Sequence, residues 1–227
     1  MHIPDGYLGP ETCGVFYAVM LPIWVRASKI VKKTLKAKQV PILAIGAAFN
    51  FVIMMFNVPI PGGTTGHAVG GTLVAILLGP WAASIATTIA LLVQALLFGD
   101  GGITTFGANC FNMAFVLPFV GYYIYKAISR NAPIGSNKRV IAAGIGSYVG
   151  INIAAAFAGL ELGIQPLLHK TATGQALYCP YGLNVALPAM LGGHLLAFGW
   201  VEVIATALVI KYLQKRSPEL LEEGRKN

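Results

Sequence analysis

The fold class is decided by residues 80–98, PWAASIATTIALLVQALLF, a run of 19 residues without a single Asp, Glu, Lys or Arg. A helix of about 20 such residues crosses the hydrocarbon core of a bilayer. The whole chain has the same character, because 56% of its 227 residues are hydrophobic and only 11% are charged. An ordinary soluble domain carries about 25% charged residues. The sequence therefore predicts an integral membrane protein.

Further apolar runs, separated by short Gly-, Pro- and polar-rich stretches, predict an all-α polytopic bundle of about seven transmembrane helices. We expect a single membrane domain over residues 1–227, with a short N-terminal segment (1–6) ahead of the bundle (7–227). The predicted helices cover about residues 7–25, 40–58, 67–79, 80–98, a fifth that ends near 126, 139–159 and 182–212. The third run is too short to span a bilayer unless it lies inside the protein, beside a re-entrant loop.

The positive charges fall on one side of this predicted topology. Fifteen of the 16 Lys and Arg lie in three segments that share that side: Arg26, Lys29, Lys32, Lys33, Lys36, Lys38, Lys126, Arg130, Lys138, Arg139, Lys211, Lys215, Arg216, Arg225 and Lys226. Only Lys170 falls on the other side. Because basic loops stay in the cytoplasm, we expect the first helix to span, the N-terminus to lie outside and the C-terminus to be cytoplasmic. The same bias accounts for the net charge of +8 without a nucleic-acid partner.

The chain opens MHIPDG, and this start can chelate a metal ion. We expect no cleaved signal peptide and a retained Met1 with a free amine, because the second residue is large. The amine of Met1 and the deprotonated amide of His2 close a five-membered ring around a metal. That amide and the nearer ring nitrogen of His2 close a six-membered ring. Three nitrogens in one plane with an open fourth corner suit Cu(II) or Ni(II), whereas Zn²⁺ prefers a tetrahedron.

A fourth neutral nitrogen has three candidate sources, His67, His169 and His194. His67 follows the Gly-rich stretch PGGTTG, and such loops at membrane depth line binding sites. His169 lies in the polar stretch 160–180. His194 lies about 12 residues into the last predicted helix, roughly 18 Å along it. We expect that depth to be too great for a ligand, and a packed histidine bonded to a neighbouring helix is the expected role of His194.

The remaining acids and cysteines are expected to have supporting roles. Asp5 and Asp100 are either carboxylates that orient an imidazole or solvated loop charges, and the first role is preferred for Asp5. Glu202 is treated as the one deep acid of the predicted helices, either a structural partner or a point of conformational coupling. The cysteines are too few and too scattered for a disulfide framework or a CxxC metal site, and they are expected to be packing residues.

The motifs argue against an enzyme. The chain contains no G-x-x-x-x-G-K-[ST] phosphate loop, so ATP hydrolysis would have to come from partner proteins. It also lacks the H-E-x-x-H motif that an intramembrane metalloenzyme would use. An autonomous metal channel or secondary carrier remains an alternative, although such proteins usually carry several intramembrane acids along a path.

Four stretches resemble the NikM/CbiM family, the substrate-binding membrane (S) component of nickel and cobalt energy-coupling-factor (ECF) transporters. They are MHIPDGYL, PGGTTGHAVGG with the following LLGPWAA, LLFGDGGITTFGANCFNM and GGHLLAFGWVEVIATAL. The resemblance implies a metal site made of the amine of Met1, the amide and ring of His2 and the ring of His67. Cobalt members tend to begin MHIMEG, so IPDG implies Ni²⁺ as the transported substrate, with Co²⁺ as the alternative.

The resemblance also implies partners and a location. It predicts a transmembrane coupling (T) component, a pair of cytoplasmic ATPases and often a small accessory membrane subunit, all in the cytoplasmic membrane of a prokaryote. Ala44 and Ala48 give the second helix a small-xxx-small face that permits close helix approach. This face either packs within the bundle or, as the resemblance implies, docks the coupling subunit.

Overall fold

The computed structural model describes residues 1–226, with side chains up to residue 222, as a helical bundle. Its helices are α1 (Pro10–Thr34), α2 (Val40–Met54), α3 (Gly71–Leu78), α4 (Pro80–Phe98), α5 (Phe106–Ser129), α6 (Asn137–Gly163), α7 (Gln165–Leu168), α8 (Leu183–Arg216) and α9 (Pro218–Lys226). A 3₁₀ turn (Ala37–Gln39) leads into α2. Between α2 and α3, the strands β1 (Val58–Pro59) and β2 (Thr65–Gly66) pair as an antiparallel hairpin.

Within the described residues, six helices are long and apolar enough to cross a membrane, namely α1, α2 with its leading turn, α4, α5, α6 and α8. The predicted all-α membrane bundle is therefore confirmed. The expected count of about seven is not confirmed, because the run predicted as a third helix forms only the eight residues of α3. All but one of those residues are buried, as expected of a short helix inside the protein.

Some helices end at residues other than those predicted, because basic residues extend α1 and because α2 ends ahead of a hairpin that contains proline. α1 has 25 residues and runs through the basic residues to Thr34, since Lys and Arg are good helix formers. α2 ends at Met54 rather than near 58, where the chain enters the Pro-containing hairpin. α6 continues to Gly163, into the stretch predicted to be a loop. Glu161 therefore lies buried inside a spanning helix, and Glu202 is not the only deep acid.

The centre of the bundle is α6, which packs against α5 and both halves of α8. Small residues make this packing close, because a side chain at Gly146 or Gly150 would collide with the backbone of α5 around Gly121. The buried α3 packs against α4, α5 and the C-terminal helix α9. The segment between hairpin and α3, which carries His67, is thereby held inside the bundle.

Three of the spanning helices contain π-helical turns, at Gln94–Phe98 in α4, Phe111–Val116 in α5 and His194–Phe198 in α8. Such turns widen a helix locally and often occur at functional sites. Gln94 and His194 are both fully buried. Two polar side chains are thus placed inside the protein by irregular helix geometry.

Ala44 and Ala48 are exposed on α2. They line an apolar surface groove of about 400 Å³ between α2 and α4. Of the two roles left open for this small-residue face, packing inside the bundle is therefore excluded in the isolated chain.

The expected orientation can be tested with Lys33→Cys and Ala172→Cys, two exposed positions at opposite sides of the predicted topology. A thiol reagent that cannot cross membranes should label Ala172→Cys in intact cells and should reach Lys33→Cys only after permeabilisation. The native Cys13, Cys110 and Cys179 are buried, so background labelling should be low. The opposite labelling pattern would contradict an outside N-terminus.

Candidate metal centre

The N-terminal amine lies inside the protein beside the ring of His67. Met1 and His67 are both 0% exposed, and the amine nitrogen is 2.8 Å from Nε2 of His67. The amine also donates a hydrogen bond to the carbonyl oxygen of Thr65 in β2, and its nitrogen lies 3.2 Å from the hydroxyl oxygen of Thr65. The hairpin therefore holds Met1 against His67, the two residues expected to bind metal together with His2.

The ring of His67 is held in the tautomer that leaves a lone pair on Nε2. Its Nδ1 lies 3.0 Å from the carbonyl oxygen of Ala68. Because a carbonyl oxygen can only accept, Nδ1 is the protonated nitrogen. Nε2 then faces the Met1 amine as an acceptor, which is the tautomer that a metal ligand requires.

The ring of His2 has the complementary arrangement. Its Nε2 lies 3.1 Å from Oε1 of Gln94, whose amide nitrogen donates to the carbonyl of Phe51. Nε2 of His2 is therefore the donor, and Nδ1 keeps the lone pair. Nδ1 is buried and has no hydrogen-bond partner among the described residues. It is the ring nitrogen nearer the backbone, and the centroids of the His2 and His67 rings are 4.6 Å apart.

The backbone around His2 is fixed one residue later, at Ile3. Asn109 accepts from the Ile3 amide at 2.8 Å and donates to the Ile3 carbonyl at 3.0 Å. Thr105 and the amide of Gly102 also donate to this carbonyl. Within the described residues, the amide N–H of His2 has no acceptor of its own. Its proton can leave without breaking a hydrogen bond of the protein.

Neither carboxylate near the N-terminus makes a hydrogen bond to an imidazole. Asp5, expected to orient one, instead accepts from the backbone of Ile103 and from the backbone and hydroxyl of Thr104. It folds the 100–105 loop against the N-terminal segment, and the preferred role for Asp5 was wrong. Asp100 comes closer, 3.6 Å from Nδ1 of His2. Both rings are oriented by neutral acceptors, which favour the uncharged imidazole more than a carboxylate would.

Burial keeps these nitrogens uncharged. It lowers the pKa of the Met1 amine well below its usual value, against a smaller opposing effect of Asp100. Burial, then the neighbouring amine, lowers the pKa of His2 to about 3. Burial, followed by the amine and His2, lowers the pKa of His67 well below its usual value. All three shifts favour the deprotonated form, which is the form that binds a metal ion.

The other two histidines lie outside this nitrogen cluster. His169 contacts Glu11 at 3.5 Å and the ring of Tyr178. His194 is fully buried, with Nδ1 donating to the Met190 carbonyl within α8 and Nε2 without a partner among the described residues. It is near enough for its charge to contribute to the lowered pKa of His67. No hydrogen bond joins it to Met1, His2 or His67 in the described chain.

Glu202 holds the segment that carries His67. Its carboxylate is buried in α8 and accepts from the backbone amides of Val69 at 2.7 Å and Gly70 at 3.0 Å. Gly70 has a φ of 80°, a left-handed conformation that glycine adopts without strain. The glycine turn starts α3 directly behind His67. Of the two roles considered for Glu202, the structure shows the structural one, because its carboxylate holds the backbone of Val69 and Gly70.

Two residues of the centre were missed by the sequence analysis, Gln94 and Asn109. Each is buried and bonded to the N-terminal segment. Gln94 is the one carboxamide within the apolar run 80–98, which is the signal that could have identified it. In the described residues no three His, Cys, Asp or Glu side chains cluster as a metal site would. The nitrogens gathered here are two imidazoles and two backbone groups.

A family model described as the CbiM cobalt uptake substrate-specific transmembrane region matches residues 2–220. The chain belongs to the CbiM family. A crystal structure described as a truncated transition metal transporter superposes on it with a TM-score of 0.91 at 58% identity, covering 95% of this chain and 99% of that one. The CbiM-family chain is accordingly a multi-pass membrane protein.

Curated relatives of this CbiM-family chain are named for metal transport. A probable fused nickel transport protein of Lactiplantibacillus plantarum is 54% identical over 220 residues, which cover 96% of this chain and 66% of that protein. A fused nickel transport protein of Rhodobacter capsulatus is 53% identical over 225 residues, 99% of this chain and 65% of that protein. A putative metal transport protein of Methanocaldococcus jannaschii is 52% identical over 221 residues, 97% and 94% of the two chains. The chain thus spans just under two thirds of the two fused relatives.

The lowered pKa values predict an unusual pH dependence of metal binding. Because burial favours the neutral forms of the amine and both imidazoles, the His2 amide is the main source of protons, so we expect close to one proton released per Ni²⁺ near pH 7. Affinity should fall about tenfold per pH unit, without extra steps near the ordinary pKa values of about 6.5 and 8. Calorimetry in buffers of different ionisation enthalpy measures this count. A peptide of residues 1–6 is the control and should release more protons; equal counts would contradict the burial argument.

Glu202→Gln tests the support of the His67 segment. The substitution presents an amide NH₂ to two backbone N–H groups, so the free energy of unfolding should fall by about 1–3 kcal/mol, and nickel affinity should fall with it. The matched control is Glu11→Gln, whose side chain is 77% exposed and whose replacement should change little. Denaturant unfolding in detergent and nickel titration measure both effects, and similar losses in the two variants would refute the assigned role.

Proposed function

We propose that this chain captures Ni²⁺ as the substrate-specific subunit of an ATP-driven ECF-type metal uptake transporter. The proposed ligands are the amine of Met1, the amide nitrogen and Nδ1 of His2, and Nε2 of His67. The observation that carries the proposal is the buried contact between the amine and Nε2 of His67, beside a His2 ring whose Nδ1 is unpartnered. All four nitrogens belong to groups that are oriented by the surrounding protein.

The spacing of the two contacting nitrogens favours a planar site. Adjacent corners of a square around a metal lie about 2.8 Å apart when metal–nitrogen distances are about 2.0 Å, whereas two corners of a tetrahedron lie about 3.3 Å apart. The amine and Nε2 of His67 are 2.8 Å apart. This is a hydrogen-bond distance, and two nitrogens so placed could become neighbouring corners of a square around Ni(II) or Cu(II) with little movement.

Nickel is favoured over cobalt as the transported substrate. At a given nitrogen site Ni²⁺ binds more tightly than Co²⁺, and four nitrogens in a plane suit low-spin Ni(II) in particular. Two relatives above 50% identity carry nickel in their names, while the family model is described for cobalt. Cobalt capture is thus the runner-up. A yellow, diamagnetic nickel complex would support the planar nickel site, and tighter binding of Co²⁺ than of Ni²⁺ would reverse the assignment.

Energy for transport is proposed to come from partners, a T component and a pair of cytoplasmic ATPases, often with a small accessory membrane subunit. The exposed groove that contains Ala44 and Ala48 suits close docking of an apolar helix. The alternative of an autonomous channel or carrier has less support. The two buried acids of the spanning helices accept hydrogen bonds within the protein, Glu161 through Oε2 from Asn112 and Glu202 from the backbone just ahead of α3, and in the described chain neither lines an open path. No enzymatic role is proposed.

The ligand set can be tested through the first residue. Acetylating the Met1 amine, or substituting His67→Ala, should each lower nickel affinity by more than the 10- to 100-fold that loss of an outer-sphere partner costs. His169→Ala is the matched control and should leave affinity unchanged, because that ring lies apart from the cluster. Nickel titration of the purified protein, with the N-terminus verified by intact mass, measures these effects. If the acetylated protein binds nickel as tightly as the free one, the amine is not a ligand.

A sharper test adds one residue ahead of Met1. The histidine then becomes third, and an amine, two amides and one imidazole can fill all four corners of the plane without His67. In the extended chain His67→Ala should therefore cost less than about tenfold in affinity, far less than in the natural chain, as expected for coupled ligands. Equal losses in both backgrounds would argue against a shared metal ion.

A further inference from the structure

Arg139, at the start of α6, is a buried cation without a carboxylate partner. Arg139 as a whole is 3% exposed. Nε donates to the carbonyl of Ala132 at 3.0 Å, and Nη1 donates to the hydroxyl of Tyr125 at 2.7 Å. Both acceptors are neutral, and no ion pair is formed with any described residue. A buried charge without a counter-ion is costly, so this guanidinium calls for an anion.

The guanidinium faces a cavity that gathers further positive charge. This cavity of about 160 Å³ lies between α3, α5, α6 and α9, and Lys126 and Arg130 line it together with Arg139. The ammonium of Lys126 sits over the ring of Tyr122 at 5.4 Å, at the end of α5. No acidic residue lines the cavity within the described chain. Three cations, two of them Arg, thus surround a space far larger than the roughly 10–15 Å³ that one water needs.

We propose that this cavity binds a phosphate group, supplied by an anionic lipid headgroup or by soluble phosphate. Arginine guanidinium groups bind phosphate oxygens through paired N–H donors, and Nη2 of Arg139 makes no hydrogen bond to any residue whose side chain the structure describes. The cavity lies where α5 ends and α6 begins, the level at which a spanning helix meets the headgroup layer. Basic pockets between spanning helices at that level recognise lipid phosphates.

Phosphate in this cavity would also hold the C-terminal helix. Ile76 of α3 and Leu221 of α9 complete the lining on the opposite wall, and both are 2% exposed. An anion between the cations would remove the repulsion among three positive charges beneath α9. Binding should therefore raise the thermal stability of the protein as ligands of the folded state do, while nickel affinity stays unchanged.

The test compares two double variants with the same change in charge. Lys126→Gln/Arg130→Gln removes the two exposed cations of the cavity, and Lys29→Gln/Lys33→Gln removes two exposed cations of α1. The proteins are studied in detergent with phosphatidylglycerol, with phosphatidylcholine or with inorganic phosphate. Retained lipid is counted by native mass spectrometry, and the thermal midpoint is measured. Circular dichroism and gel filtration of each variant verify that the fold is intact, independently of the proposed nickel binding.

Phosphatidylglycerol should be retained and should raise the thermal midpoint of the natural protein by several degrees. Affinity for it should fall at least tenfold in the Lys126/Arg130 variant and stay within about twofold in the Lys29/Lys33 control. A midpoint shift with inorganic phosphate that is lost in the same variant identifies soluble phosphate as the source. Equal losses in both double variants, or no response to either phosphate source, would overturn the proposal; the second result would leave an acidic protein segment as the occupant to seek.

Discussion

The structure is organised around the burial of the N-terminal amine against His67. An amine is the most strongly hydrated group of a chain start, and taking it out of water is unfavourable unless it is uncharged and hydrogen-bonded. Burial favours the uncharged amine by lowering its pKa, and the carbonyl oxygen of Thr65 and Nε2 of His67 accept its two hydrogens. The rest of the centre follows from this constraint, since a buried chain terminus must be enclosed on every side by donors and acceptors that match it.

That enclosure explains several irregular features of the fold. The hairpin of β1 and β2 brings the acceptors of Thr65 to the amine, and Glu202 anchors the glycine turn that follows His67. The π turn in α4 coincides with Gln94, which orients the ring of His2. α3 is short and buried because its start belongs to this centre rather than to a membrane span. Irregular backbone at membrane depth is stable here because protein, not lipid, surrounds it.

The buried groups around Met1 and His67 differ in charge from those of the cavity at the ends of α5 and α6. Around the candidate metal centre burial favours the neutral forms of the amine and the two imidazoles, and the rings are oriented by a carbonyl and a carboxamide. At the ends of α5 and α6, by contrast, the described residues give Arg139 only neutral partners and leave a cavity lined by positive charge. The first arrangement leaves lone pairs free for a cation, and the second leaves N–H donors free for an anion. Both follow from the same low-dielectric interior, in which an uncompensated charge is expensive.

The sequence by itself determined the membrane class and placed five of the spanning helices to within a few residues, and it predicted a chelating N-terminus from Met1 and His2. These are local properties, set by runs of apolar residues and by two consecutive amino acids. It did not determine the roles of Asp5 and Glu161 or the support by Gln94 and Asn109. The Gly-rich stretch before His67 and the family resemblance pointed to His67, but the sequence alone could not decide which histidine joins the N-terminus. The contacts that decide these matters join residues 66, 92 and 106 positions apart. Hydropathy and spacing report on neighbours along the chain, so only the packing of α4, α5 and the hairpin around residue 1 could decide them.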